Sequence, residues 1–319
     1  MKERVYDIDA LRGMFALLVL FYHCSCWCNP YFVPPSIILN ALTLWGIYAV
    51  EGFFVISGMS LALAYKTYSF QCKQNWYKFF VRRYIRIIPL YAFLMVFFSA
   101  FFRHCGQLLM VFGFKDPLSS CLIGGWSIGV EFCLYFFFPL LLILIRNDKT
   151  KLLTLVGCFV LLFLSIKFKL KYVNPIQHVF FFCAGIFLGI TFKKVTLKNM
   201  YSYCAIALFL FMSFCGPIEQ KSCLENFTRL LWALATVVLV FLCSRIEINN
   251  FFIRFLGQIR YGVYLIHPIF VWKILPRLGL RNSYFVVPCT LVFSILSAYF
   301  IYRFFECPIQ RKLKKVFHA

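Results

Sequence analysis

Apolar runs long enough to cross a bilayer recur along the whole chain, separated by short polar and basic connectors. They fall near 11–28, 45–65, 87–103, 125–145, 152–166, 173–192, 200–216, 229–244, 261–278 and 284–303. A helix needs about 20 mainly apolar residues to span the hydrocarbon core. Inside lipid, every backbone polar group must bond within its own segment, which selects helix. The pattern therefore predicts an all-α, polytopic membrane protein with about ten transmembrane helices. No polar stretch is long enough for a separate soluble domain, so residues 1–319 are read as one integral-membrane domain. No internal repeat is evident.

Composition supports this reading. The chain is 62% hydrophobic and 14% charged, against about 25% charged in a soluble protein. A net charge of +22 would suggest nucleic acid in a soluble chain, but here the basic residues follow topology. With the N-terminus cytoplasmic, the inner segments hold 23 of the 33 Lys and Arg (Arg12 included). That asymmetry favours both termini inside. It implies a multi-pass protein of the inner (plasma) membrane, with membrane lipids and not nucleic acid as partners. The first run is read as a retained span and not a signal peptide, because Asp7, Asp9 and Arg12 precede it and His23 interrupts it.

Fifteen cysteines lie mostly within apolar runs, where the thiol acts as a small hydrophobe. Cys24, Cys26 and Cys28 alternate, so a regular helix turns neighbours in this set about 200° apart. No metal is expected. Cys215 and Cys223 share an outer connector and would pair only in an oxidising compartment.

Four polar constellations interrupt the apolar pattern. The first is Asp9-Ala10-Leu11-Arg12-Gly13, followed by His23. Eleven helical steps return to nearly the same face, about 16 Å further along. Ionisable groups in a membrane segment are costly and usually line a site or pathway. The second is Trp126-Ser127-Ile128-Gly129-Val130-Glu131, then Tyr135 and Pro139. Ser127, Glu131 and Tyr135 recur four apart, and Glu131 is read as the only acidic residue well inside a span. The third runs from Arg260 to Pro268, with Arg260, Tyr264 and His267 on one face and Pro268 expected to kink the helix. The fourth is Arg303 to Pro308, where Arg303 and Glu306 are expected to pair locally.

The inner connector 66–86 carries Lys66, Lys73, Lys78, Arg82, Arg83 and Arg86, with Pro89 near the start of the next span. It suits either an anchor for anionic headgroups or a site where Arg forks grip a polyanion. Glu51 to Gly58 is read as a small-residue packing motif. His104 and His178 are lone histidines with no chemistry assigned.

These clusters, in this order, resemble the acyltransferase-3 family of integral-membrane O-acyltransferases. Ile8-Asp9-Ala10-Leu11-Arg12-Gly13 is similar to its opening motif, and Arg12 with His23 to its Arg-x10-His signature. Phe53 to Gly58, Arg82 to Tyr91, Trp126 to Pro139, Tyr261 to His267 and Arg303 to Pro308 resemble its later elements. The family often has a second acidic residue after the motif Glu, where this chain has Phe132, so a two-carboxylate mechanism is not expected.

The resemblance implies transfer of an acyl group, most often acetyl, from cytoplasmic acyl-CoA to a hydroxyl of a cell-surface glycan or lipid-linked sugar. Acyl-CoA is then a co-substrate, with no permanently bound cofactor. Arg82, Arg83 and Arg86 would hold the nucleotide phosphates. Arg12, oriented by Asp9, would contact the pantetheine or pyrophosphate. His23 would act as general base, and Glu131 would orient it or bind sugar. Trp126, Ser127, Tyr135, Tyr264 and His267 would face the acceptor. The main alternative is a transporter or flippase for a polysaccharide precursor, which the buried Arg, Glu and His would also suit. Two further alternatives are a membrane-bound O-acyltransferase of another family, for which His178 is the candidate histidine, and a structural subunit of a polysaccharide export system, which would tolerate loss of His23.

Overall fold

The computed structural model describes residues 6–27, 37–97, 104–192, 198–214, 223–246, 250–280 and 282–317. Among the described residues there is no strand. The long helices are α1 (Tyr6–Trp27), α2 (Ile37–Tyr65), α3 (Lys73–Phe97), α4 (Gly125–Arg146), α5 (Lys151–Lys167), α6 (Ile176–Ile190), α7 (Lys198–Phe214), α8 (Cys223–Cys243), α9 (Phe251–Ile269) and α10 (Ser283–Ile301). Each overlaps one apolar run. A π turn, Tyr302–Glu306, carries α10 into α11 (Cys307–Val316). Four helical stretches are long and apolar enough to cross a membrane by length and composition: Ile8–Trp27, Tyr48–Tyr65, Gly125–Arg146 and Tyr284–Val316.

Small residues set the tightest crossings. Gly58 of α2 lies against α6, where an added Cβ would sit 2.1 Å from the Phe182 carbonyl oxygen. Gly185 of α6 answers it, with its Cβ position 2.0 Å from the Val55 oxygen. Gly13 of α1 and Gly257 of α9 make the same arrangement, the latter against the Asp9 carbonyl. Without a water-driven hydrophobic force between helices in lipid, such close packing holds them together. It also turns the polar faces of α1, α2, α4 and α9 toward one another.

Two expectations change. The connector 66–86 is helical from Lys73, and Pro89 lies inside α3, four turns from its start. The apolar positions Phe79, Ile85 and Ile87 are buried, so the helix begins within the basic connector instead of at the proline. The last helix also runs past 303, through the π turn to Val316.

Candidate active site

The polar residues gather at two levels of the bundle, one near the N-terminal end of α1 and one near its C-terminal end. At the first level, Arg12 is buried. Its guanidinium donates to Asp9 Oδ1 at 2.9 Å, to Ser60 Oγ at 2.7 Å and to the Ile56 carbonyl at 3.4 Å. Arg260 approaches the same Asp9 oxygen at 3.3 Å and also donates to the Gly257 carbonyl. One carboxylate thus joins α1 to α9, and one guanidinium joins α1 to α2.

Beside this cluster, Glu131 accepts from Ser57 Oγ at 2.6 Å and from Tyr135 Oη at 2.5 Å. Ser57 and Tyr135 are also 3.1 Å apart, which closes a triangle between α2 and α4. Arg83 packs over the Tyr135 ring at 5.9 Å and the Phe79 ring at 6.0 Å. Arg86 lies within electrostatic reach of Tyr135, Glu131, Asp9 and Glu306. Arg82 is half-buried on the same helix. The basic helix therefore turns two of its three arginines onto the polar core.

At the second level, His23 Nδ1 and His267 Nε2 are 2.7 Å apart. The two rings lie nearly parallel, with centroids 5.0 Å apart. His23 also stacks on Trp27, centroids 4.2 Å and planes 11° apart. His267 is fully buried, and its Nδ1 lies 2.9 Å from the Val263 carbonyl oxygen one turn back. Next to the pair, Tyr264 Oη and Ser127 Oγ are 2.8 Å apart. Gly124, with φ of +76°, caps α4 below them. Here α1, α4 and α9 meet.

Three readings are corrected. Glu131 is not the only acidic group set into the helices, since Glu51 and Glu306 are 5% and 8% exposed. Glu51 accepts from Tyr172 Oη at 2.8 Å, so the motif around it does more than pack. Arg303 and Glu306 do not pair among the described residues. Arg303 is exposed, whereas the π turn swings Glu306 inward to accept from Gln310 at 2.8 Å. The hydrogen bonds of Glu131 go to Ser57 and Tyr135, and the ring that contacts His23 is His267.

Ser57 and Ser60 were missed as partners. Their signal was two hydroxyls three apart in an otherwise apolar stretch. Trp126 packs on Tyr172 and His178, ring centroids 5.5 and 5.8 Å apart, and His178 Nε2 lies 2.8 Å from the Tyr172 carbonyl. His104 is exposed. Cys24 is buried and Cys26 exposed, whereas Cys28 and Cys215, the proposed partner of Cys223, lie outside the described residues.

Residues 5–303 match the acyltransferase-3 family, described as an acyltransferase domain. The chain belongs to the acyltransferase-3 family. That match spans both levels of the site and every helix that builds them. No curated protein and no solved structure matches the chain. Family membership, taken with the apolar helices, makes this a membrane acyltransferase. The motifs from Ile8 to His267 fall within the matched residues, and the last, Arg303 to Pro308, begins at their end.

Proposed function

We propose that the protein transfers an acyl group, acetyl first, from cytoplasmic acyl-CoA to a hydroxyl of a cell-surface glycan or lipid-linked sugar. The observation that carries this reading is the pairing of His23 with His267 on the helix that holds Arg12 about 16 Å away. An ordered imidazole at one level and a cluster of guanidiniums at the other suit the two ends of a long thioester donor.

In this reading both termini and the basic helix face the cytoplasm. Arg82, Arg83 and Arg86 grip the coenzyme phosphates with forked, charge-assisted hydrogen bonds. Arg12, held by Asp9 and Ser60, is a fixed donor for the pyrophosphate or pantetheine end. His23 takes the proton from the acceptor hydroxyl as that oxygen attacks the thioester carbonyl. Ser127, Tyr264 and Trp126 face the sugar at the outer level, and Glu131 with Tyr135 braces α2 against α4 beneath it. Family membership favours transfer chemistry over the transporter or flippase alternative.

The test is transfer of radiolabelled acetyl from acetyl-CoA in membranes carrying the chain or its His23→Ala variant at equal expression. Label in a glycan or lipid fraction only with the intact histidine supports the reading. Equal label in both removes His23 from the mechanism. No label in either, with the native glycan present, overturns acetyl-CoA as donor.

A further inference from the structure

The hydrogen-bond chain through the two histidines has a direction, and the direction fixes where the reactive lone pair sits. The Val263 carbonyl can only accept, so the His267 nitrogen facing it at 2.9 Å, Nδ1, must carry a proton. His267 is fully buried, and no carboxylate hydrogen-bonds to either ring among the described residues. A cation there would be buried without a counter-charge, which is costly. The ring is therefore neutral, and a neutral imidazole protonated on Nδ1 has its lone pair on Nε2. That Nε2 faces His23 Nδ1 at 2.7 Å, so His23 donates from Nδ1. The remaining nitrogen of His23, Nε2, holds its lone pair.

We propose that His267 is a positioning residue that locks His23 in the Nδ1–H tautomer and so makes Nε2 the base atom. The inference rests on the reading of His23 as general base, but the tautomer itself does not depend on any substrate. Which ring nitrogen is protonated is set by the bond the other one makes, and here a backbone carbonyl sets both rings in series. The sequence explains the anchor. Pro268 has no N–H to give the Tyr264 carbonyl, and the loosened turn continues into a π turn over Phe270–Ile274. The His267 ring bonds back to Val263 on its own helix while Nε2 points across to α1.

In the reaction, the acceptor O–H bond breaks and its proton goes to His23 Nε2 while the acceptor oxygen forms the bond to the acyl carbon. The carbon–sulfur bond then breaks, and the departing thiolate takes the proton back from Nε2. The products are the O-acyl ester and free coenzyme A thiol, and His23 returns to its starting tautomer. Between these steps His23 is an imidazolium. Its face lies on the Trp27 indole at 4.2 Å, where the ring quadrupole favours a cation, and its Nδ1–H still donates to His267.

The experiment is nitrogen NMR of the full chain in lipid with 15N-labelled histidine. The chain has five histidines, and the His23 signals are assigned by their loss in His23→Ala. The expected wild-type spectrum has His23 protonated on Nδ1 and bare on Nε2. In His267→Ala the His23 signals should move toward the Nε2–H form. Turnover should fall about 10- to 100-fold with the acceptor KM unchanged, as loss of positioning in proton transfer predicts. His267→Gln, whose amide oxygen can accept from Nδ1, should recover part of that rate. A wild-type His23 carrying its proton on Nε2 overturns the proposal without needing any variant to fold. So does a His23 signature unmoved by His267→Ala. The expected tautomer in a protein that moves no acyl group upholds the wiring and overturns the assignment of His23 as base.

Discussion

The two levels of the site are built from the same helix and by opposite rules. Near the start of α1, charges meet charges: Asp9 joins Arg12 and Arg260, and each donor of Arg12 that the structure pairs has a fixed acceptor. Near its end, two imidazole rings meet in series, and in the proposed tautomer one nitrogen is left with a lone pair. The first arrangement is closed and fixes geometry. The second is open and can accept a proton. The difference teaches that burial of polar groups in the helices serves two ends, and that partner count separates them. A saturated cluster holds helices and a ligand's charges in place, whereas an unsaturated one is available for chemistry.

Variants at the two levels should therefore fail differently. The largest effect is expected from His23→Ala, which should lower turnover by about 10²- to 10⁴-fold, the usual range for a lost general base. The thermal unfolding midpoint should stay near wild type, because Trp27 still covers the position. Rate and melting temperature measured on the same preparation check this, and a large drop in melting temperature would place His23 with the structural cluster.

Asp9→Asn should do the reverse. It leaves Arg12 and Arg260 facing each other without their shared carboxylate, a loss of about 2–3 kcal/mol given that the group is partly exposed. Thermal unfolding in detergent should show the loss, and the KM for acyl-CoA should rise more than kcat falls. A kcat effect matching that of His23→Ala would erase the distinction between the levels.

Tyr135→Phe removes one of two hydroxyls from Glu131 while Ser57 remains. It should cost about 1–2 kcal/mol of stability with little effect on rate. The smallest effect belongs where the connector after α4 enters α5. Lys151 hydrogen-bonds to Asp148 and holds its carboxyl below the usual range. Any stability from this lowered value is present at neutral pH and lost as pH falls through it, but the carboxyl is exposed and the pair screened. Lys151→Ala should leave both the melting temperature and its acid dependence unchanged within error.

The helices were legible in the sequence because bilayer-length apolar runs leave few alternatives. That Arg12 and His23 share one helix was legible for a similar reason, although Arg12 meets α2 and His23 meets α9. What escaped was pairing between helices. His267 read as an acceptor-facing residue, with nothing to say that its ring meets His23 and the Val263 carbonyl. Glu51 and Glu306 read as packing and local pairing, because nothing in a single chain position says which way a π turn or a tight glycine crossing will rotate it. Pro89 misled for a simpler reason. Proline is tolerated within a helix when buried neighbours on either side hold it, and Ile85, Ile87 and Leu90 do so here.

The division of labour between the levels can be tested in one steady-state experiment on purified protein in lipid, comparing His23→Ala with Arg86→Gln at varied acetyl-CoA. The account predicts that His23→Ala lowers kcat with the acetyl-CoA KM unchanged within about twofold, and that Arg86→Gln raises that KM with a smaller change in kcat. The opposite pattern, with KM moving at His23 and kcat at Arg86, would contradict it.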